Sequence, residues 1–226
     1  MSASATIVSI QVGRPTAYDF EHEADGRSRS WTTAFFKSPI AGSVRVGRLG
    51  IAGDGQADLK NHGGVDKAVL AYSADHYPAW RTLLVLPDMP LGGFGENLSL
   101  SGIDENAVCI GDRWQAGEVL FEVTQPRQPC WKMSRRWRIS DLAAQVIANG
   151  KSGWYLRVLA EGEIAGGMRL TLVERPHERW PVARASRLMN HDKQDLAAAA
   201  ELAALPELSA AWKEDLQKRL ARHNAL

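Results

Sequence analysis

The strongest constraint on the fold of this chain is a rhythm. From residue 5 to residue 175 its apolar residues come in short runs, each the length of a β-strand and each cut off by a glycine-rich turn. Thr6-Ile7-Val8-Ser9-Ile10-Gln11-Val12, Ser43-Val44-Arg45-Val46, Ala68-Val69-Leu70-Ala71-Tyr72, Val108-Cys109-Ile110, Val119-Leu120-Phe121-Glu122-Val123 and Met168-Arg169-Leu170-Thr171-Leu172-Val173 all have this form. Several are rich in β-branched residues and some alternate in polarity, the pattern of strands that lay one face on a shared core. The body of the chain is therefore predicted to be mainly β, a barrel or a sandwich.

Two helices are expected within it. One runs from about Ala74 to Leu84 behind a Ser73 cap; the other runs from about Asp141 to Ala148, capped by Ser140 and stopped by Asn149-Gly150. Beyond Pro176 the composition changes. Val182–Met189, Lys193–Ala204 and Glu207–His223 read as three helices separated by Asn190-His191-Asp192 and Leu205-Pro206. In the last, Leu208, Ala211, Trp212, Leu216 and Leu220 recur at three- and four-residue spacing, so an apolar face must pack on the barrel or on a second subunit, which leaves a homodimer open. The boundary between a β domain (1–176) and a helical extension (177–226) is placed there.

No apolar run reaches the roughly 18 residues of a membrane span, and MSASATIVSIQVG lacks the basic start and apolar stretch of a signal peptide, so a cytoplasmic protein with no membrane partner is expected. Twenty-seven basic residues against 26 acidic ones leave a charge of +1, which speaks against a dedicated nucleic-acid binder. The two cysteines, Cys109 and Cys130, are too few for an iron–sulfur cluster or a four-cysteine zinc site, and both are expected to be free thiols. Gly150-Lys151-Ser152 lacks the upstream glycine of a phosphate loop, since position 145 is Gln. Neither Gly53-Asp54-Gly55 nor Gly93-Phe94-Gly95 completes a dinucleotide fingerprint, and His22-Glu23 has no second histidine at zinc-protease spacing.

Three loops carry chemistry. Gly53–Lys67 is dense in Asp, Gln, Asn, His and Lys around a Gly63-Gly64 pair, a composition suited to an oxygen-rich ligand or to a solvated turn. Gly92-Gly93-Phe94-Gly95-Glu96-Asn97 is a second glycine-rich loop, feeding a strand. In Gln125-Pro126-Arg127-Gln128-Pro129-Cys130-Trp131-Lys132, two prolines in four residues stiffen the chain around a thiol. Five cations, Arg127, Lys132, Arg135, Arg136 and Arg138, follow with no acidic residue between Val123 and Ser140. Cations beside a thiol favour its thiolate, which ligates a metal or attacks carbon, and arginine's planar fork suits phosphate.

The three loops in this order, Gly53-Asp54-Gly55-Gln56-Ala57-Asp58 with His62-Gly63-Gly64-Val65-Asp66-Lys67, then Gly95-Glu96-Asn97, then Gln125-Pro126-Arg127-Gln128-Pro129-Cys130, resemble the MOSC domain family, named for the C-terminal domain of molybdenum cofactor sulfurase. The tail after Pro176 is similar to the three-helix extension of its YiiM-type branch, the hydroxylaminopurine-resistance proteins. The resemblance implies a β-barrel-like MOSC domain that binds the molybdenum cofactor (molybdopterin), with Cys130 as both catalytic residue and molybdenum ligand. It carries cofactor contacts onto Lys60, His62, Gly63, Gly64, Asp66, Lys67, Asn97 and Arg127, and the family as a whole is also associated with pyridoxal phosphate. Val65 stands where the pattern more often has proline. The implied activity is reduction of a small N-hydroxylated substrate, such as an N-hydroxylaminopurine, to its amine, with electrons from a separate reductase. A cofactor carrier without turnover, and a Cys130 nucleophile for acyl or sulfur transfer with His62 or His76 as base, remain as alternatives.

Overall fold

The computed structural model describes residues 3–20, 29–58 and 62–224. Thirteen strands are present in this part of the chain: β1 (Ser4–Val12), β2 (Thr16–Phe20), β3 (Arg29–Thr33), β4 (Ser38–Pro39), β5 (Ser43–Gly47), β6 (Gly50–Ile51), β7 (Val69–Ser73), β8 (Leu98–Ser101), β9 (Arg113–Ala116), β10 (Val119–Pro126), β11 (Trp154–Ala160), β12 (Gly162–Ala165) and β13 (Arg169–Glu174). The α-helices are α1 (Tyr77–Leu83), α2 (Trp131–Trp137), α3 (Leu142–Asn149), α4 (Val182–Asn190), α5 (Leu196–Ala203) and α6 (Ala210–Asn224). None of the described helices is long and apolar enough to cross a membrane.

Seven strands, in the order β13-β9-β10-β11-β7-β8-β1, form a barrel that closes where β1 pairs with β13, Ser4 opposite Thr171. One strand serves three neighbours because it bends. A register shift between Ile7 and Ser9 lets β1 leave β13, run along β8 and end beside β4, which is what an extra residue in a strand does. The pairing of β7 with β8 is parallel, Ala71 opposite Leu98, and so needs a crossover. That crossover carries α1 and ends in the Gly95-Glu96-Asn97 turn, which delivers this turn to the end of the barrel.

Alternation along the strands fills the interior with Ile7, Leu98, Trp114, Phe121, Leu156 and Leu170, all at most 1% exposed. The extension owns no separate core. Trp180, Val182, Leu202, Trp212 and Leu216 join the barrel's own apolar cluster, so hydrophobic burial is continuous across the expected boundary at Pro176. A second cluster, built on Phe35, Tyr72, Trp80, Phe94, Met133 and Leu142, lies beneath α1, α2 and α3.

Several local expectations are corrected. Val108–Ile110 is not a strand: Asp112 accepts the Cys109 amide at 2.9 Å and Gly111 sits at φ +80°, so the segment turns and keeps only one bridge, Cys109 to Pro181. The cap of α3 is Asp141 rather than Ser140, with no side-chain bond, although Gly150 does stop the helix in the left-handed region. Ala211 faces solvent while Leu208, Trp212 and Leu216 are buried. Helix α2 was not anticipated, because its Trp-Lys-Met-Ser-Arg-Arg-Trp sequence has only Met133 fully buried and no apolar stripe.

Candidate functional site

At one end of the barrel the three loops converge on an open cleft. It is lined by Thr33 to Phe35, Lys37, Asp54 to Ala57, His62, Lys67, Leu70, Gly95, Asn97, Arg127, Cys130, Lys132 and Tyr155. The lining holds four cations, Lys37, Lys67, Arg127 and Lys132, against one carboxylate, Asp54. A concave, partly apolar surface with this imbalance draws anions.

Arg127 directly follows β10 and is 4% exposed. Its amide donates to Gly153 O at 2.9 Å, one guanidinium nitrogen, Nη2, donates to Phe94 O at 2.9 Å, and the plane lies 5.8 Å from the Phe35 ring. The other nitrogen, Nη1, is buried and has no hydrogen-bond partner among the described residues. A buried donor left unmade costs about 1–3 kcal/mol, so its presence in a cleft wall signals a partner beyond the described residues. Three residues on, Cys130 stands extended at the start of α2, its thiol free and half-buried. The loop is held from behind by α2, where Arg136 Nη1 donates to Gly92 O at 2.8 Å and to Phe35 O at 3.2 Å. Trp137 Nε1 donates to Gly93 O at 2.8 Å.

Another part of the lining rests on Asp54. Its carboxylate accepts the Gly13 amide (2.8 Å), Asn97 Nδ2 (2.8 Å) and the ammonium of Lys37, in a pair whose side chains are 8% and 2% exposed. Burial holds the Lys37 pKa below its usual value, and the Asp54 charge and hydrogen bond oppose that shift. Gly95, at φ +80°, admits the close approach of Phe35: a Cβ there would lie 2.7 Å from its ring.

His62 is neutral at neutral pH. Burial pushes its pKa down to about 4, with Lys132, Arg127 and Lys67 adding to the shift and Asp58 opposing it. Lys67 is also lowered by burial, against the nearby charges of Asp66, Asp215 and Asp58. Tyr155 is pushed up to about 12 by burial and stays a neutral phenol. Cys109 is remote from the cleft, a buried thiol raised to about 11 by desolvation and Asp112.

Of the residues implied by the resemblance, His62, Lys67, Asn97, Arg127 and Cys130 meet in the cleft. Lys60 lies outside the described residues. Gly63 and Gly64 do not line it; Gly64, at φ +90°, starts the short turn Val65–Lys67 that aims Lys67 inward, and it does so although Val65 replaces proline. Asp66 is turned away, both carboxylate oxygens being held by Arg157 and by the Ala210 amide. Asn97 lines the cleft but spends its amide on the protein, accepting from Leu70 N and donating to Gln11 O and Asp54. His76 is bound to Glu105 at 2.7 Å and is not in the cleft. Arg135, Arg136 and Arg138 also miss it. Arg135 lies 5.6 Å from the Trp31 ring and 5.5 Å from that of Trp131, and Arg138 ends α2 in the left-handed region. Sequence reasoning passed over Lys37 and Tyr155, which stand in no motif, and weighed Asp54 only as part of a polar run.

A model of the MOSC domain matches residues 58–171. The chain belongs to the MOSC family. The MOSC domain is followed by a match to a YiiM-like 3-alpha helix domain over residues 180–223. Among relatives, protein YflK of Bacillus subtilis (strain 168) is 36% identical over 96% of this chain and 95% of its own length, and protein YiiM of Escherichia coli (strain K12) is 36% identical over 83% and 84%. A Gibberella moniliformis protein described as a reductase is 37% identical over 77% of the chain, which spans only 32% of that longer protein. The crystal structure of YiiM from Geobacillus stearothermophilus superposes with a TM-score of 0.80 at 38% identity, covering 96% of this chain and 99% of that one. A mainly β barrel with a C-terminal helical segment is thus this MOSC protein's fold.

Proposed function

We propose that this MOSC protein binds the molybdenum cofactor in the cleft, with the Cys130 thiolate as the protein's ligand to molybdenum, and reduces N-hydroxylated compounds to amines. The observation that carries the reading is the buried Nη1 of Arg127, without a partner among the described residues, beside a free thiol and three further lining cations. The lining fits the group. Thiolate is a soft ligand suited to a transition metal, and an arginine fork with lysines suits an anionic phosphate. When bound, the group supplies the two electrons that cleaving an N–O bond requires.

The chain's part is to bind and orient. Arg127 offers its unused N–H to an anionic oxygen, while Lys67 and Lys132 offset the negative charge from either side. Neutral His62 offers one ring donor and one acceptor, and takes up a proton more readily once an anion has offset the surrounding cations. The Phe35 ring keeps water from one side of the cleft, and Pro126 and Pro129 limit the directions in which Cys130 can point. Electrons are assigned to a separate donor protein, because two cysteines cannot hold an iron–sulfur cluster. The relative described as a reductase, of which the matched stretch is 32%, fits an arrangement in which this unit works with others.

The test is metal analysis of protein made in a host that synthesises the cofactor. Wild type should carry molybdenum and a fluorescent pterin, and Cys130→Ala should lose the metal. Equal molybdenum in both would remove Cys130 as ligand. Holoprotein that binds the group but, once reduced by dithionite, leaves hydroxylamines unchanged would make the protein a carrier.

A further inference from the structure

The resemblance pointed to Asp66 as a cofactor contact, yet its carboxylate faces the other way. Arg157 on β11 donates to Oδ1 from Nε (3.0 Å) and Nη2 (2.6 Å), and the amide of Ala210, the first residue of α6, donates to Oδ2 at 2.9 Å. The backbone of the same residue is held as well: Thr124 Oγ1 on β10 donates to Asp66 O at 2.6 Å. Thr124 O in turn accepts the Ser209 amide at 3.1 Å, so the barrel wall, the loop and the start of α6 form a closed ring of hydrogen bonds. Arg157 is itself anchored by the buried Glu122, 2.6 Å from Nη1. The next residue along the loop is Lys67, in the cleft.

We propose that Asp66 is a positioning residue through which the three-helix extension becomes part of the scaffold of the site: its carboxylate fixes the loop that presents Lys67 by joining it to Arg157 and to the first turn of α6. Both carboxylate oxygens of Asp66 are then engaged within the protein. A second link has the same direction. Asp215 on α6 lies close enough to act on the charge of Lys67, so the extension contributes to the field of the cleft as well as to its shape. The proposal rests on the cleft being the ligand site argued above, but the state of the loop can be read without any ligand.

The experiment is hydrogen–deuterium exchange of the full-length protein, followed at the 62–68 segment, where the Lys67 amide donates to Gly64 O at 3.1 Å. Three variants separate the arms. Asp66→Ala removes both, and Asp66→Asn keeps an oxygen for Ala210 while weakening the hold of Arg157. Ala210→Pro deletes a single N–H within the extension, at a first helical position where proline's φ is favourable. Exchange of the loop should rise on the order of tenfold for each charge-assisted bond lost and most for Asp66→Ala, with the 119–126 strand unchanged. Affinity for inorganic phosphate should fall in the same order, while Asp215→Asn should alter phosphate affinity without altering exchange. Unchanged loop exchange in all three loop variants would overturn the proposal, as would acceleration that spreads equally over the barrel strands. Failure of wild type to bind phosphate would count against the cleft as an anion site, and loop exchange would still decide the role of Asp66.

Discussion

Replacing Arg127 with methionine removes the charge and keeps most of the volume, and the expected result is unusual for a residue that is 4% exposed. In the ligand-free protein the guanidinium contributes one bond to the described residues, Nη2 to Phe94 O, of the charged kind that stabilises by about 1.5–3 kcal/mol. Its position near the Phe35 ring adds about 0.5–2 kcal/mol. Against these stand an unmade buried donor, costing about 1–3 kcal/mol, and the desolvation of the cation, several kcal/mol even after relaxation. The balance favours the apolar variant or leaves it level, so Arg127→Met should unfold in urea at a stability between that of wild type and about 2 kcal/mol above it. Added anion should reverse the order. At one hundred times its Kd, inorganic phosphate stabilises wild type by about 2.7 kcal/mol and should leave the variant unmoved. A ligand-free variant less stable than wild type by more than about 3 kcal/mol would show the guanidinium to be a structural prop and would refute the reasoning. An undiminished phosphate response would do the same.

Removing Asp54 should act in the opposite way. Asp54→Ala leaves the buried Lys37 ammonium without its counter-charge and should cost about 3–5 kcal/mol by chemical denaturation, much of it recovered by adding Lys37→Met; full additivity of the two substitutions would contradict the pairing. His62 gives a pH signature. Its folded pKa of about 4 lies below the unfolded value near 6.5, so the unfolded chain binds more protons between the two. Stability should therefore rise with pH from about 4 to about 6.5 and show no further His62 contribution above that. His62→Gln should flatten this slope in urea melts at pH 5 and pH 7.5, and an unchanged slope would mean that the imidazole is not desolvated in the fold.

What could be read from the sequence divides along physical lines. The barrel strands β1, β7, β10 and β13 announced themselves as short apolar, β-branched runs between turns: β1 buries alternate residues along part of its length, while β7 and β10 are buried almost throughout. The three loops stood out through their glycines, prolines and cysteine, whose special backbone or chemistry shows in the letters themselves, while their meeting at one site was implied by the resemblance to the MOSC family. Lys37 and Tyr155 were not, since a lone lysine after Phe35-Phe36 or a tyrosine inside a strand looks the same whether it lines a cleft or a surface. The direction of Asp66 was beyond reach for another reason: a short 3₁₀ turn rotates successive side chains by about a third of a turn, which puts Lys67 into the cleft and Asp66 out of it. Helix α2 was hidden because its partners are carbonyls of the Gly92–Gly93 loop and a ring at Phe35, contacts that leave no apolar stripe.

The closure of the barrel between Ser4 and Thr171 bears on how the protein comes into being. Synthesis proceeds from the N-terminal end, so β1 leaves the ribosome long before the strand that completes its pairing, and every side chain lining the cleft is encoded in between. Contacts that span most of a chain slow folding, and here the seam of the barrel is such a contact. A nascent chain that has reached Cys130 thus has the thiol but no finished wall around it. The walls of the cleft are complete only once the strand that pairs with β1 has been made, well after the last lining residue, Tyr155, has left the ribosome.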